Sequence, residues 1–295
     1  MLKEDAAWPR AAAWLKADAG AKADLALLGV PANLTSISAT GANATPDAIR
    51  QALLRYSLQY SVGSIESISA VDAGNIDDPD HNEAVTIAKV AELTTRTELV
   101  VALGGDNSVT YATALGAFGA DLETAGLITF DAHHDIRHGV SNGSPVRRLI
   151  EAGLNPKRIV QIGINDFSNS PAYANEVAEL GIHVIHRDEL ETRALADVMA
   201  EAFGIAGSGG GPIHVDIDVD VCDRAFVPAC PAAAPGGITA YQLRKLARLA
   251  AAHPRVKSID VTEIDATADS ADGRTVRLGA LLVLEAAAGL LERRG

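Results

Sequence analysis

Short apolar runs alternate along the chain with longer stretches in which Ala and Leu recur at helical spacing. The short runs are rich in branched side chains, which favours strands. They lie at residues 24–30, 67–71, 98–103, 126–131, 158–163, 182–186, 213–218 and 256–261. The longer stretches predict helices at residues 46–56, 83–97, 145–152, 172–180, 188–203, 239–252 and 275–292. This alternation predicts a three-layer α/β/α fold in which an eight-stranded, mostly parallel sheet lies between two layers of helices.

The composition is that of one large domain. Of the 295 residues, 48% are hydrophobic, and the mean hydropathy is +0.12, which is enough apolar material for a substantial core. Gly and Pro are scattered, and no polar low-complexity stretch divides the chain. We therefore expect a single domain that spans residues 1–295.

The excess of acidic over basic residues argues against nucleic acids and membrane surfaces as partners. The formal net charge is −13, whereas nucleic acids and membrane surfaces are bound through clusters of Lys and Arg, so we expect neither partner.

The sequence also indicates the compartment. The N-terminus lacks the basic region of a signal peptide, and no uncharged apolar stretch reaches the length of a membrane helix. Two cysteines, Cys222 and Cys230, cannot form the disulfide framework of a secreted protein. These features predict a cytoplasmic protein.

Polar clusters follow three of the predicted strands. They are LGGDNS after Val101, DAHHD after Ile128 and DIDVD after Val215. In open α/β sheets, ligands bind beyond the carboxyl ends of the strands. We therefore expect the chemistry of this protein at that edge of the sheet.

The DAHHD cluster has the composition of a metal site. Residues two apart on extended backbone point the same way, so Asp131, His133 and Asp135 would face one point while Ala132 and His134 turn aside. Two carboxylates and one imidazole suit Mn²⁺ and related ions better than a metal that prefers thiolates. The alternative is a solvated loop with fortuitous acids.

A second acidic cluster strengthens the metal hypothesis. Asp216, Asp218 and Asp220 alternate with apolar residues and would project from one face of a strand. Carboxylates this close repel one another, which raises their pKa values unless a cation neutralises them. An edge strand that faces water would tolerate such acids, but the apolar spacers indicate an interior strand. Two such clusters on one sheet predict a metal centre.

Four ordered motifs, LGGDNS, FDAHHD, DIDVDVCDRAFVPACPAAAPGGIT and IDVTEID, resemble those of the arginase, agmatinase and formimidoylglutamase (ureohydrolase) family. The resemblance extends from about Leu28 to Arg277. It implies a single domain with an eight-stranded parallel sheet and a homo-oligomer, a trimer or hexamer. It also implies two manganese ions bridged by a hydroxide, which attacks the trigonal carbon of a guanidinium or amidine.

The resemblance, carried over motif by motif, implies metal ligands. Asp131 and Asp218 would bridge the two ions. The remaining ligands would be His133 and Asp220 in one site, and Asn107 and Asp135 in the other. On the same alignment, Asp216 falls where relatives have a small polar residue.

Two acids have implied catalytic roles. Asp135 would take the proton of the hydroxide and deliver it to the leaving amine. Glu263 would pair with the cationic N–C–N head of the substrate, because a carboxylate suits a planar pair of donors. The alternative for Glu263 is an acid at the start of a helix or on the surface.

The chain departs from the family pattern at several positions. The ligand histidine of the GGDH motif is Asn107 here, and a neutral amide oxygen binds Mn²⁺ more weakly than an imidazole does, so one of the two sites would be weak. The histidine that shuttles protons in arginases and agmatinases is Asn142. Arg224 replaces a proline, and Asp265 with Ala266 replaces a common Asn-Pro pair.

These departures favour the formimidoylglutamases. The segments SNGSPVR and SISATGANATPDAIR resemble the corresponding segments of that subfamily. N-formimino-L-glutamate carries two carboxylates, so its pocket should offer cations. Arg137 and Arg147, with Asn142 between them, are the candidate substrate-binding residues; alternatively, both arginines lie on the surface. Agmatine, with a distal cation, would instead require acids there.

The sequence therefore predicts metal-dependent hydrolysis of N-formimino-L-glutamate to L-glutamate and formamide, a step of histidine degradation. A second hypothesis is the hydrolysis of agmatine, a guanidino acid or a related amidine. A third is a non-catalytic metal-binding relative, because Asn107 and Asn142 replace two histidines.

Overall fold

Nine strands form one parallel sheet in the computed structural model, which describes residue 5 and residues 7–294. The strands of the protein are β1 (Lys16–Ala17), β2 (Ala23–Val30), β3 (Gln59–Tyr60), β4 (Gly63–Ser64), β5 (Ala70–Asn75), β6 (Thr97–Gly104), β7 (Gly126–Phe130), β8 (Ile159–Ile164), β9 (His183–His186), β10 (Ile213–Asp218) and β11 (Val256–Thr262). The order in the sheet is β1-β5-β2-β6-β11-β10-β7-β8-β9, while β3 and β4 form a separate antiparallel hairpin.

Helices connect the strands and cover the sheet. They are α1 (Thr45–Ala52), α2 (Glu83–Thr94), α3 (Val109–Phe118), α4 (Pro145–Ala152), α5 (Pro171–Leu180), α6 (Glu189–Thr192), α7 (Leu195–Ala206), α8 (Ala240–Ala252) and α9 (Arg274–Glu292). Within residue 5 and residues 7–294, no helix is long and apolar enough to cross a membrane.

The predicted three layers are confirmed by the way strand residues alternate between two cores. Leu25 and Leu27 of β2 pack into the core that α1, α7, α8 and α9 share. Ala26 and Leu28 point to the opposite face and pack against residues of α2 and α3. Because successive strand residues face opposite sides, one strand contributes to both helical layers.

The strand count differs from the prediction by one. All eight predicted strands are present, although β5 begins at Ala70 rather than at residue 67, because Ile68 packs into the core from the preceding turn. The ninth strand, β1, pairs with β5 through Lys16 and Ala17 alone. A strand of two exposed residues shows no apolar periodicity, so the sequence pattern could not reveal it.

Two helices also differ from the prediction. The predicted helix 188–203 is interrupted at Arg193, whose backbone is extended (φ −92°, ψ 141°), so α6 and α7 are separate. Helix α3 was not predicted. Eight of its ten residues are buried, so it lacks the polar stripe by which an amphipathic helix is recognised.

Candidate metal centre and active-site cavity

Four neighbouring strands, β11, β10, β7 and β8, lead into residues that line one cavity of about 310 Å³, and β6 lies beside β11 as the fifth strand. Since all five are parallel, their carboxyl ends meet at one edge of the sheet. The acids and the imidazole that follow them form the inner wall of the cavity, which consists of His133, Asp135, Asp218, Asp220 and Glu263. The three polar clusters predicted to lie together are therefore adjacent in the fold.

The geometry of a metal site is clearest at three residues. One ligand atom from each of Asp131, His133 and Asp220 lies within 4.8 Å of the other two. The imidazole Nδ1 of His133 is 2.7 Å from Asp220 Oδ2 and 3.5 Å from Asp131 Oδ1. Asp131 and Asp220 are almost completely buried, so their oxygens are fixed in place.

Asp218 and Asp135 adjoin this group. Asp218 ends β10, and its Oδ1 accepts a hydrogen bond of 2.8 Å from the backbone N–H of Asp220. Asp135 accepts a hydrogen bond from the amide Nδ2 of Asn107. The amide oxygen of Asn107 instead accepts from the hydroxyls of Thr110 and Thr262, at 2.8 and 3.1 Å. Thus the nitrogen of Asn107, and not the oxygen that a metal would need, faces Asp135.

The ligands of DAHHD and DIDVD were predicted to converge because alternate residues on extended backbone face the same way. The residues do lie together, but this reason was wrong. Strand β7 ends at Phe130, and DAHHD is irregular backbone in which Asp135 has a φ of +53°. His134 does turn aside, with Nδ1 2.7 Å from the Gln161 side-chain oxygen. In the other motif Asp220 lies in a 3₁₀ turn beyond the end of β10 rather than on the strand. The residues converge through these turns, which sequence periodicity does not describe.

Burial and mutual repulsion shift the acids of the centre toward their neutral forms. Burial first, and neighbouring carboxylates second, raise the pKa values of Asp131 and Asp218 well above the usual range. Burial raises the pKa of Asp135 to about 6. Burial opposes a charged ring at His133, but Asp220 and the other acids raise the pKa of this imidazole to about 10. One imidazole therefore faces several carboxyl groups.

This donor set fits a divalent cation. The carboxyl oxygens are hard ligands, they converge with one imidazole, and when ionised they would carry more negative charge than His133 can neutralise. A doubly charged ion would relieve the repulsion that raises the pKa values of Asp131 and Asp218. Cys222 and Cys230 are both buried, and burial raises the pKa values of their thiols, so they stay protonated.

Asp216 lies below the centre. It pairs in register with Asp260 of β11, and both are inaccessible to solvent. Asp260 accepts a hydrogen bond of 2.6 Å from the Thr113 hydroxyl, and its Oδ2 is 3.1 Å from the Nε2 of His214. Burial and the Asp260 charge raise the pKa of Asp216 well above the usual range. Neither carboxyl oxygen of Asp216 has a hydrogen-bonding partner among the described residues, so Asp216 lies beside the buried network of Asp260, Thr113 and His214 without being hydrogen-bonded within it.

Glu263 is held in a strained conformation beside the centre. It follows β11 and has a φ of +63°, which is rare for residues other than glycine. Its Oε1 accepts hydrogen bonds from the Asn107 backbone N–H, at 2.8 Å, and from the Asn142 side-chain Nδ2, at 2.9 Å. Burial raises the pKa of Glu263 to about 7. Glu263 lines the cavity, so this carboxyl group is presented to whatever binds there.

The outer wall of the cavity consists of loop residues together with Tyr173 of α5, and it has a different character. It comprises Ile37, Ser38, His134, Ile136, Arg137, Asn142, Gly143, Ser168, Asn169, Ser170, Tyr173, Pro231 and Ala232. Arg137 is the single Asp, Glu, Lys or Arg residue in this set. It is exposed, and among the described residues its guanidinium has no hydrogen-bonding or ion-pair partner within the protein.

Arg147 does not lie where the sequence analysis expected it. It is absent from the residues that line the cavity. Its guanidinium is 2.8 Å from Glu176, and its Nε donates to the carbonyl of Ile136 at 2.7 Å. Because Ile136 precedes Arg137 in the chain, Arg147 supports the backbone that carries Arg137 and does not itself border the cavity.

Two family departures have structural explanations. Arg224 donates to the carbonyl of Cys230 at 2.9 Å and so holds the segment that carries Pro231 and Ala232 to the cavity. Asp265 accepts a hydrogen bond of 2.8 Å from the backbone N–H of Gly41. Both residues fix loops around the cavity.

The loop that follows β8 also lines the cavity, although no residue of it was predicted to belong to the site. Ser168, Asn169 and Ser170 line the outer wall, and Tyr173 of α5 lies beside them. The segment NDFSNS is a polar cluster after a strand, which is the signal that identified the other three motifs. It was not singled out because it contains no group of metal ligands.

The parallel sheet and the buried group of carboxylates with one imidazole define a class, the α/β proteins with a hard-metal centre at the carboxyl edge of the sheet. The Arginase family profile matches residues 23–289. The formimidoylglutamase of Bacillus subtilis (strain 168) is 34% identical over 281 residues, which are 90% of this chain and 86% of that protein. The chain belongs to the arginase family.

Solved structures agree with this assignment. The crystal structure of the Bacillus subtilis formimidoylglutamase has a TM-score of 0.90 at 30% identity, over 98% of this chain and 94% of that one. Trypanosoma cruzi formiminoglutamase with Mn²⁺ has a TM-score of 0.90 at 22% identity, over 97% and 99% of the two chains, which shows the fold. The mitochondrial agmatinase of Gallus gallus is more distant, at 27% identity over 275 residues (89% of this chain and 79% of that protein).

Proposed function

We propose that this protein hydrolyses N-formimino-L-glutamate to L-glutamate and formamide with manganese as its metal. The observation that carries the proposal is the polarity of the cavity. Its inner wall is acidic, and its outer wall has Arg137 as its one fixed charge. A substrate with a cationic amidine at one end and carboxylates at the other matches this distribution of charge. The relatives named formimidoylglutamase support the same substrate.

The inner wall would orient and protonate the reacting end. Glu263 would bind the amidinium N–H groups through the part of its carboxylate that borders the cavity. Water adds to the amidine carbon, and the bond from that carbon to the glutamate nitrogen breaks. Asp135, whose pKa of about 6 lies close to neutrality, would carry the proton from the attacking water to the departing amine.

The outer wall would select the acid end. Arg137 borders the cavity and has no guanidinium partner in the part of the chain that the structure describes, so it is suited to a carboxylate. Ser168, Asn169 and Ser170 add neutral hydrogen-bonding groups. Agmatine would place a cation near Arg137, and the resulting repulsion argues against agmatinase activity. A guanidino acid also carries a carboxylate, so the charge of the cavity does not distinguish it from N-formimino-L-glutamate. Activity assays with both compounds make that distinction.

Asp131, His133, Asp218 and Asp220 would hold the metal together with Asp135. When bound, the metal would lower the pKa of a water molecule and supply the nucleophile near neutral pH. We propose two ions, one of them weakly held, because the amide of Asn107 presents its nitrogen to Asp135. The Thr110 and Thr262 hydroxyls can donate or accept, so a half-turn of the amide would keep both hydrogen bonds and turn its oxygen toward Asp135.

The direct test is glutamate release from N-formimino-L-glutamate by protein loaded with Mn²⁺, against the same protein treated with a chelator. We expect release in the loaded sample alone. Hydrolysis of agmatine or a guanidino acid, without release of glutamate from N-formimino-L-glutamate, would identify a different substrate. Bound Mn²⁺ without turnover of any amidine would identify a non-catalytic relative.

We also propose that the protein is cytoplasmic and a homo-oligomer, a trimer or hexamer. The composition and the family resemblance support these two proposals. Sedimentation of the purified protein would test the second, since a monomer of 30.6 kDa is readily distinguished from a trimer.

A further inference from the structure

We infer that Asn142 is a positioning residue that orients Glu263 for amidinium binding and ties this carboxylate to the loop at the rim of the cavity. The inference rests on the proposed function, in which Glu263 receives the cationic end of the substrate. Asn142 lies before α4, between the rim loop (residues 31–41) and the end of β11.

Both ends of the Asn142 amide are engaged. Its Oδ1 accepts a hydrogen bond of 3.0 Å from the backbone N–H of Ile37, and its Nδ2 donates one of 2.9 Å to Glu263 Oε1. Its own backbone N–H donates to the carbonyl of Thr35 at 3.3 Å. The two side-chain bonds fix the orientation of the amide, because reversing it would place its N–H groups against the N–H of Ile37 and its oxygen against a carboxylate.

Other contacts hold the rim loop without touching Glu263. Asp80 accepts from the backbone N–H groups of Asn33 and Leu34, at 3.1 and 2.9 Å. Ser36 donates to Asp106 at 2.5 Å. The side chain of Asn33 donates to the carbonyl of Thr40 at 3.1 Å. Among the described residues, Asn142 is the side chain that hydrogen-bonds to both the rim loop and Glu263.

The two donors on Glu263 Oε1 leave its other oxygen free. Oε1 accepts from Asn107 and Asn142, while Oε2 has no hydrogen-bonding partner among the described residues. Glu263 borders the cavity, so Oε2 is the oxygen available to a ligand. Without the Asn142 donor, one backbone N–H would remain to hold the carboxylate, which could then rotate about its terminal bond.

This arrangement predicts a selective effect. Removing the Asn142 side chain should weaken binding at the amidinium end of the cavity and leave the Arg137 end unchanged. A general loosening of the fold would weaken both. Two small ligands separate the cases: acetamidinium has the cationic head alone, and glutarate has two carboxylates and no nitrogen.

The experiment is calorimetric titration of both ligands into Mn²⁺-loaded wild type, Asn142→Ala and the control Asn33→Ala, which removes a rim-loop hydrogen bond and spares Glu263. We expect Asn142→Ala to bind acetamidinium about tenfold to a hundredfold more weakly, the usual range for loss of a hydrogen bond to a charged group. Glutarate affinity should change less than about twofold, and Asn33→Ala should resemble wild type for both ligands. If Asn142→Ala does not fold, Asn142→Ser, whose hydroxyl is too short to reach Glu263, serves as the second variant.

Three results would overturn the inference: unchanged acetamidinium affinity in the Asn142 variants, an equal loss for both ligands, or no acetamidinium binding by wild type. Failure of the proposed function looks different. Wild type would then bind acetamidinium, lose that binding with Asn142, and release no glutamate from N-formimino-L-glutamate.

Discussion

The inner wall of the cavity lies at the ends of strands, whereas the outer wall lies mainly on loops. Asp218, Asp220, Asp135 and Glu263 are at most 8% exposed, and hydrogen bonds between neighbouring loops fix them. Arg137 is exposed, and its guanidinium has no partner among residue 5 and residues 7–294. The inner wall has several like charges that repel one another, while the outer wall has one charge among neutral groups.

This difference indicates that the inner wall carries out the reaction and that the outer wall selects the substrate. Buried, converging carboxylates can be tolerated where a cation and a reacting centre compensate for their repulsion. Exposed loop residues cost little stability to change, so the outer wall can differ between relatives with different substrates. We therefore expect inner-wall substitutions to abolish the reaction and outer-wall substitutions to alter the choice of substrate.

The largest expected effect is on the inner wall. Asp218→Ala should lower kcat for N-formimino-L-glutamate at least about a thousandfold, because it removes a carboxylate of the metal centre. Asp131→Ala should do the same, because Asp131 belongs to the metal centre although it does not line the cavity. Steady-state kinetics with saturating Mn²⁺ measures the loss, and Asp166→Ala, which removes an exposed acid outside the cavity lining, is the control. Full activity in either the Asp218 or the Asp131 variant would be incompatible with the proposed centre.

On the outer wall, Arg137→Met should raise KM about tenfold to a hundredfold and leave kcat nearly unchanged, because the guanidinium binds a group that does not react. The effect should disappear with an amidine that lacks carboxylates. Arg274→Gln is the control, since Arg274 pairs with Asp272 on the surface. A fall in kcat with unchanged KM would show that Arg137 takes part in the reaction itself. It would contradict the division between an inner wall for chemistry and an outer wall for substrate choice.

Metal binding should depend on pH because His133 must lose a proton. The pKa of its imidazole is about 10 in the metal-free protein, so the ring is protonated at neutral pH and Mn²⁺ displaces that proton. Affinity should therefore increase with pH between 7 and 9, by about tenfold per unit for each proton released. Calorimetry in buffers of different ionisation enthalpy counts the protons. The exposed-histidine control His81→Gln should show the same dependence, and an affinity independent of pH would contradict the ion-pair geometry.

Asn107→His should strengthen Mn²⁺ binding about tenfold, because an imidazole replaces a neutral amide as a ligand. The effect should be confined to the weaker of the two proposed sites. Titration followed by electron paramagnetic resonance measures the free Mn²⁺ at each step. Identical affinities in the variant and wild type would mean that Asn107 does not contact the metal.

The smallest expected effect concerns the loop after β8. Phe167 is fully exposed and has a φ of +63°, a strained conformation for an aromatic residue. Phe167→Gly should therefore increase stability by roughly 1 kcal/mol, raising Tm by about 2 °C. Tyr241→Gly, at an exposed aromatic residue inside α8, should lower Tm instead. A lower Tm for Phe167→Gly would show that its ring makes a stabilising contact.

Sequence patterns located the inner wall more completely than the outer wall. Asp131, His133 and Asp218 are recognisable because they follow strands and have the composition of a metal site. Ser168 and Asn169 also follow a strand, but a neutral polar loop looks like any other loop. Arg147 shows the opposite error, since an arginine in a suggestive motif pairs with Glu176 outside the cavity lining.

Secondary structure shows the same contrast. Helix α8 has the capping box formed by Thr239 and Gln242 and an apolar stripe, so its position follows from local sequence. Helix α3 is buried on nearly all sides, so tertiary packing alone makes its Thr and Gly residues acceptable in a helix.

The sequence by itself determined the alternating strands and helices, the two acidic clusters and the family resemblance, because each depends on residues close together in the chain. The tertiary structure alone decided which atoms meet: His133 with Asp220, the nitrogen of Asn107 with Asp135, and Asn142 with both Ile37 and Glu263. These contacts join residues up to 121 positions apart. They arise from turns with positive φ and from side-chain orientations, which depend on packing between elements rather than on local periodicity.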